Sequence, residues 1–97
     1  MICTLTARRL KPGAYDAFRE AWDPGDADVI ERWRPIYHVR DVNDPDVVIS
    51  FGFFNGSQEE LRDVQAQAGR GDQVARIAAT VEEVLLDGAY EVVEQLG

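Results

Sequence analysis

One cysteine, one histidine and no apolar run of membrane-spanning length are what this 97-residue chain has in short supply. A lone Cys3 cannot form an internal disulfide, which fits a reducing compartment. With Ile2, Thr4 and Leu5 around it and no nearby base, it reads as a small buried hydrophobe rather than a reactive thiol. Cys3 and His38 fall on different predicted strands, so they make no zinc site. Basic residues are also few, 10 Lys and Arg against 18 Asp and Glu, giving a net charge of −8. Nucleic acids and anionic membranes need a basic footprint, and neither is expected as a partner. No phosphate loop, dinucleotide fingerprint or Ser-His-Asp spacing is present, and no metal or cofactor is expected. "DVNDPD" at 41–46 resembles the start of a calcium loop. Asp46 stands where that loop needs glycine, and Gly52 where it needs glutamate. The opening "MICTLTARRL" has no basic segment leading into a long apolar one, so a soluble cytoplasmic protein is expected.

What is present arranges itself as one domain, residues 1–97. Residues 2–9 are rich in β-branched and apolar types and predict a strand. After "KPG", the residues Ala14, Ala17, Phe18, Ala21 and Trp22 recur on one helical face. Asp26 can cap a short second piece carrying Val29, Ile30 and Trp33. Pro35 forces extension, and residues 36–42 and 47–54 predict two strands around an "NDPD" turn at 43–46. Ser57 with Glu60 three residues on is a capping-box signature, opening a helix through Leu61, Val64 and Ala68. Asp72 can cap a further helix with the stripe Val74, Ile77, Ala78, Val81, Val84 and Leu85. A last strand is expected from Ala89 to Leu96.

The order is β-α-β-β-α-β, which predicts an α+β, ferredoxin-like fold with a four-stranded antiparallel sheet and helices on one face. With the turn at 43–46, Val42 would oppose Val47. His38, Arg40, Phe51 and Phe53 would then share one face, with Val39, Val48 and Phe54 on the other. Both faces are apolar, and soluble monomers seldom expose such a patch. A homodimer through the sheet face is expected.

The stretches "RRLKPGAYDAFREAW", "DPDVVISFGFF" and "NGSQEEL" resemble the dimeric α/β-barrel superfamily, and most of all its antibiotic-biosynthesis-monooxygenase-like small domains. That resemblance implies two ferredoxin-like sheets packed face to face. It also implies a cofactor-independent monooxygenase or isomerase acting on a small aromatic or polyketide-like molecule. Haem-degrading members of the group carry an asparagine on the first strand, a tryptophan ending the third and a histidine on the next helix. Here the first strand has no Asn, Asn55 stands near the tryptophan position, and no histidine follows His38.

On their chemistry, His38 is the candidate acid–base group and Arg40 the candidate holder of an anion. Phe51, Phe53, Trp22, Phe18 and Trp33 are the candidate walls of a small apolar pocket between sheet and helices. The rival reading is a non-catalytic binding or interaction protein on the same fold, with His38 fully engaged by protein groups.

Overall fold

The structure, a computed structural model, describes residues 1–23 and 31–97. The expected cap at Asp26 and the helical stripe through Val29 and Ile30 lie outside the described residues. Strand β1 (Ile2–Leu10) leads to helix α1 (Tyr15–Trp22), and strands β2 (Trp33–Asp41) and β3 (Asp44–Phe54) form a hairpin. Helices α2 (Gln58–Gln67) and α3 (Arg70–Ile77) follow, then a 3₁₀ turn (Ala78–Thr80) and strand β4 (Val81–Glu91). The four strands make one antiparallel sheet in the order β2-β3-β1-β4. This is the ferredoxin-like α+β architecture.

Local sequence explains most of these elements. At the start of α2, Ser57 Oγ accepts from the Glu60 amide at 3.1 Å, and the Glu60 carboxylate accepts from the Ser57 amide at 3.1 Å. Both halves of the capping box are therefore formed, satisfying two amides that the first helical turn leaves free. Gly69 joins α2 to α3 at φ 68°, in the left-handed region where only glycine sits without strain. It starts α3 in place of Asp72, which lies inside the first turn.

Two expectations are corrected. The chain turns at Val42 and Asn43, because Asp41 pairs with Asp44, and the "NDPD" segment belongs largely to β3. Carboxylates make the tighter turn possible: Asp41 accepts from the Asn43 amide at 2.7 Å and Asp44 from the Asp46 amide at 3.1 Å. The register moves by one residue, and a one-residue slip exchanges the two faces of a strand. His38 thus opposes Ser50, and Phe51 opposes Tyr37. Val48 and Phe54, expected in an exposed patch, are fully buried beneath the helices. The second correction is at the end of the chain. The stripe from Val74 to Leu85 does not continue as a helix; α3 stops at Ile77 and Val81 onward is strand β4. A short apolar run with β-branched residues satisfies both periodicities, and pairing with β1 decides it.

The helix-covered face carries its apolar core in two separate clusters. At one end Leu10, Phe18, Val48 and Ile77 pack together; at the other, Phe54, Leu61 and Val64 do so with Ile2 and Trp33 against them. The sheet rows between those ends hold Thr4, Thr6, Ser50 and Gly52, side chains that supply little apolar surface. The opposite face bears Tyr37, Val39, Phe51, Phe53, Leu86 and Tyr90, with Tyr37, Val39, Leu86 and Tyr90 exposed. Tyr37 stacks on Phe51 at 5.1 Å, and Phe51 meets Phe53 edge-on at 6.1 Å. That face has no helix over it among the described residues.

Candidate functional site

The polar middle of the sheet forms a row that crosses all four strands. His38 on β2 lies opposite Ser50 on β3, Ser50 opposite Thr6 on β1, and Thr6 opposite Asp87 on β4. The row is hydrogen-bonded in two halves. His38 Nδ1 and Ser50 Oγ are 2.7 Å apart, and Thr6 Oγ1 donates to Asp87 Oδ1 at 2.9 Å. Arg70, at the start of α3, closes over the second half with bonds of 3.1 and 3.0 Å to the two Asp87 oxygens. One row nearer Phe54, Trp33 Nε1 donates to Thr4 Oγ1 at 3.0 Å. A Cβ on Gly52 would press to 3.0 Å from Ile36 Cγ1 and 3.4 Å from Trp33 Cδ1, so only glycine leaves Trp33 and Ile36 this close to the sheet.

Above these rows lies a cavity of about 110 Å³, open to solvent on one side. Its floor includes Thr4, Thr6, Arg8, Ser50 and Gly52; Trp22 and Trp33 are walls, and Gln65, Ala68, Arg70 and Gln73 close it from α2 and α3. The Gln73 side-chain amide donates to the Trp22 carbonyl, tying α3 to the end of α1 across the top. The volume is below that of an engineered apolar cavity that binds benzene, about 150 Å³, so the enclosed part suits at most one small ring, with any substituents in the open side.

The sequence-predicted residues are divided by this geometry. Trp22 and Trp33 line the cavity. His38 stands just behind its wall, bonded to Ser50 and held edge-on to Trp22, ring centroids 4.6 Å apart and planes at 90°. Phe18 is fully buried and meets the His38 ring edge-on at 5.8 Å. Arg40 shares the His38 side of the strand but is exposed, its guanidinium 5.0 Å from the Tyr15 ring centroid. Phe51 also borders the cavity, although its ring stacks on Tyr37 at the uncovered face, and Phe53 meets Phe51 edge-on there; this follows from the corrected register.

Sequence reasoning passed over Arg8. It is 7% exposed, its guanidinium lies 5.3 Å from the Phe18 ring centroid, and its Nη1 is buried without any hydrogen-bond partner. Among the described residues it forms no ion pair. The signal was available: strand alternation puts Arg8 with Ile2, Thr4, Thr6 and Leu10, on the side that α1 covers. Burial lowers the Arg8 pKa, opposed by nearby Asp87 and reinforced by Arg70. The His38 pKa is lowered to about 4, first by burial and then by the charges of Arg19 and Arg8. At neutral pH the imidazole is therefore uncharged. It can accept or donate a hydrogen bond, but it is no general acid there.

Among the described residues, no group of three or more His, Cys, Asp or Glu gathers as a metal set, and no helix is long and apolar enough to cross a membrane. An antiparallel β2-β3-β1-β4 sheet with helices on one face defines the class: a ferredoxin-like α+β domain of the kind found in antibiotic-biosynthesis-monooxygenase-like proteins. A candidate antibiotic biosynthesis monooxygenase from Chloroflexus aurantiacus superposes with a TM-score of 0.74 at 15% identity, over 99% of this chain and 96% of its own. One from Nitrosomonas europaea gives 0.74 at 14% identity, covering 97% of this chain and 100% of that one. An uncharacterised NIPSNAP domain protein from Burkholderia xenovorans gives 0.65 at 14% identity, over 100% and 99%. No family model matches the sequence, and no curated protein matches it. At these identities the likeness is one of fold.

Proposed function

We propose that this protein is a homodimer, closed across its uncovered sheet face by a second copy, that binds a small aromatic or polyketide-like molecule in the cavity between sheet and helices. Its proposed reaction is cofactor-independent oxygenation or proton transfer on that molecule. The observation carrying the reading is the divided core. A small domain that interrupts its own apolar core with Thr4, Thr6, Ser50 and Gly52 forfeits burial that would stabilise it. A ring lodged between Trp22 and Trp33 restores that burial, while the polar row beneath it orients the ring's oxygens. His38, acting through Ser50 or after Trp22 shifts, is the proposed proton acceptor. Arg40, exposed and turned to Tyr15, has no part in this version of the site.

A second reading, a binding protein without turnover, draws on the depressed basicity of His38. Oxygen consumption and ultraviolet spectra recorded with a panel of aromatic ketones and hydroquinones separate the two. Turnover that disappears in His38→Gln supports the enzyme; saturable binding with unchanged spectra supports the binder.

The assembly has its own expected outcome. Sedimentation at micromolar concentration should give a particle of twice the 10.9 kDa chain mass, with an interface of roughly 1,200 Å² or more. Phe51→Asp places a charge at the centre of that face and should yield monomers. A monomeric wild type would overturn the homodimer.

A further inference from the structure

Arg8 gives the cavity a chemical preference. A buried guanidinium nitrogen with no acceptor is costly, and folded proteins seldom leave one so. The lining makes the orphan more informative. In a chain with 18 acidic residues against 10 basic ones, this cavity is lined, among the described residues, by two arginines, Arg8 and Arg70, and by no carboxylate. Arg70 already holds Asp87 with two bonds, so its charge is largely matched. Arg8 has the face of Phe18 and the more distant charge of Asp87, and neither accepts a hydrogen bond from it. A second hollow of about 260 Å³ shares Thr6, Arg8 and Arg70 but is lined by Glu82, Glu83 and Asp87, which repel an anion. The first cavity offers a positive donor with no acid among its described lining residues.

Resting on the reading of this cavity as a ligand pocket, we infer that its ligand carries one anionic oxygen, a carboxylate or an enolate, on an aromatic body, and that the Arg8 guanidinium, which lines the cavity with no ion-pair partner among the described residues, donates to that oxygen. The body occupies the space between Trp22 and Trp33. A negative charge held by Arg8 also offsets part of the Arg8 field that helps keep the imidazole neutral. An anionic guest therefore makes His38 a better proton acceptor than it is in the empty protein.

The test uses the purified full chain, with benzoate as the carboxylate probe, ionised 1,3-indandione as the enolate probe and benzamide as the neutral match for benzoate. Tryptophan fluorescence and calorimetry report binding. Benzoate should bind at least roughly ten-fold more tightly than benzamide, the scale of one charge-assisted hydrogen bond. Whichever anion binds better identifies the source of the charge. Arg8→Met should abolish the preference while retaining benzamide binding, and Arg8→Lys should restore part of it. Because the wild-type preference is measured on its own, the result does not depend on Arg8→Met folding. Equal affinity for benzoate and benzamide overturns the anion assignment and leaves the pocket standing, as does an unchanged preference in a folded Arg8→Met. Binding of none of the probes up to their solubility limits overturns the anion assignment and the pocket reading together.

Discussion

Phe18→Ala should destabilise the domain by about 3–5 kcal/mol, the largest effect expected of any single substitution here. Phe18 is fully buried in the cluster with Leu10, Val48 and Ile77, and Ala14, Tyr15, Ala21 and Trp22 pack against that cluster from α1 and its approach. Its ring also faces the Arg8 guanidinium and meets the edge of His38. Truncation therefore removes an aromatic side chain, leaves a void, and strips the arginine of its cation–π contact. Small domains hold only about 5–15 kcal/mol in total, so the variant should be partly unfolded at physiological temperature. Urea unfolding measures it as a lower midpoint at unchanged slope. Val42→Ala, at a hairpin position 96% exposed, is the control and should shift stability by no more than about 0.5 kcal/mol. A Phe18→Ala cost below about 1 kcal/mol would contradict the placement of α1 on the sheet.

The second large effect is a loss of stability in weak acid. His38 titrates near 4 in the folded protein, below its ordinary 6.5, because burial and the charges of Arg19 and Arg8 disfavour the imidazolium. Between those two values the unfolded chain binds more protons than the folded one, so stability rises with pH there and falls as pH drops from about 6.5 toward 4. Below the folded value both states are protonated and this contribution levels off. The full shift corresponds to about 3 kcal/mol, and access of water to the half-buried ring reduces that to roughly 2 kcal/mol. Two carboxylates, Asp44 held by Arg9 and Glu60 held by the capping box and Arg32, have lowered pKa values and lose their own contribution at lower pH. His38→Gln keeps a partner for Ser50 without titrating. It should flatten the pH dependence of the urea midpoint between 4 and 6.5; an unchanged slope would show that the imidazole titrates normally.

Both effects hang on residues the sequence made visible, though their surroundings were less so. The stripe Ala14, Phe18, Ala21 and Trp22 and the pair Ser57 and Glu60 act over one or two helical turns, and local patterns of that length are readable. The hairpin register was not, because Pro45 and Asn43 signal a turn while the choice between neighbouring turns rests on the Asp41 and Asp44 side chains accepting local amides. That one-residue choice moved Ser50 opposite His38 and sent Phe51 and Phe53 to the other face. Of the candidate cavity, Trp22 and Trp33 were therefore legible as lining residues, whereas the partners of His38 were not. Arg8 and Arg9 point to opposite faces of one strand, and only the packing of α1 decides which of the two is covered. Arg9 forms an ion pair with Asp44 at 2.7 Å, whereas Arg8 points beneath α1.

Amide chemical-shift mapping with a titrated aromatic ligand tests the central claim, that the guest site lies between sheet and helices within one protomer. Shifts concentrated at Thr4, Thr6, Arg8, Ser50 and Gly52, with the Trp22 and Trp33 indole signals and the Gln73 side chain moving in step, are the expected result. Shifts confined to Tyr37, Val39, Phe53 and Tyr90 on the uncovered face, with the cavity residues unmoved, would contradict it.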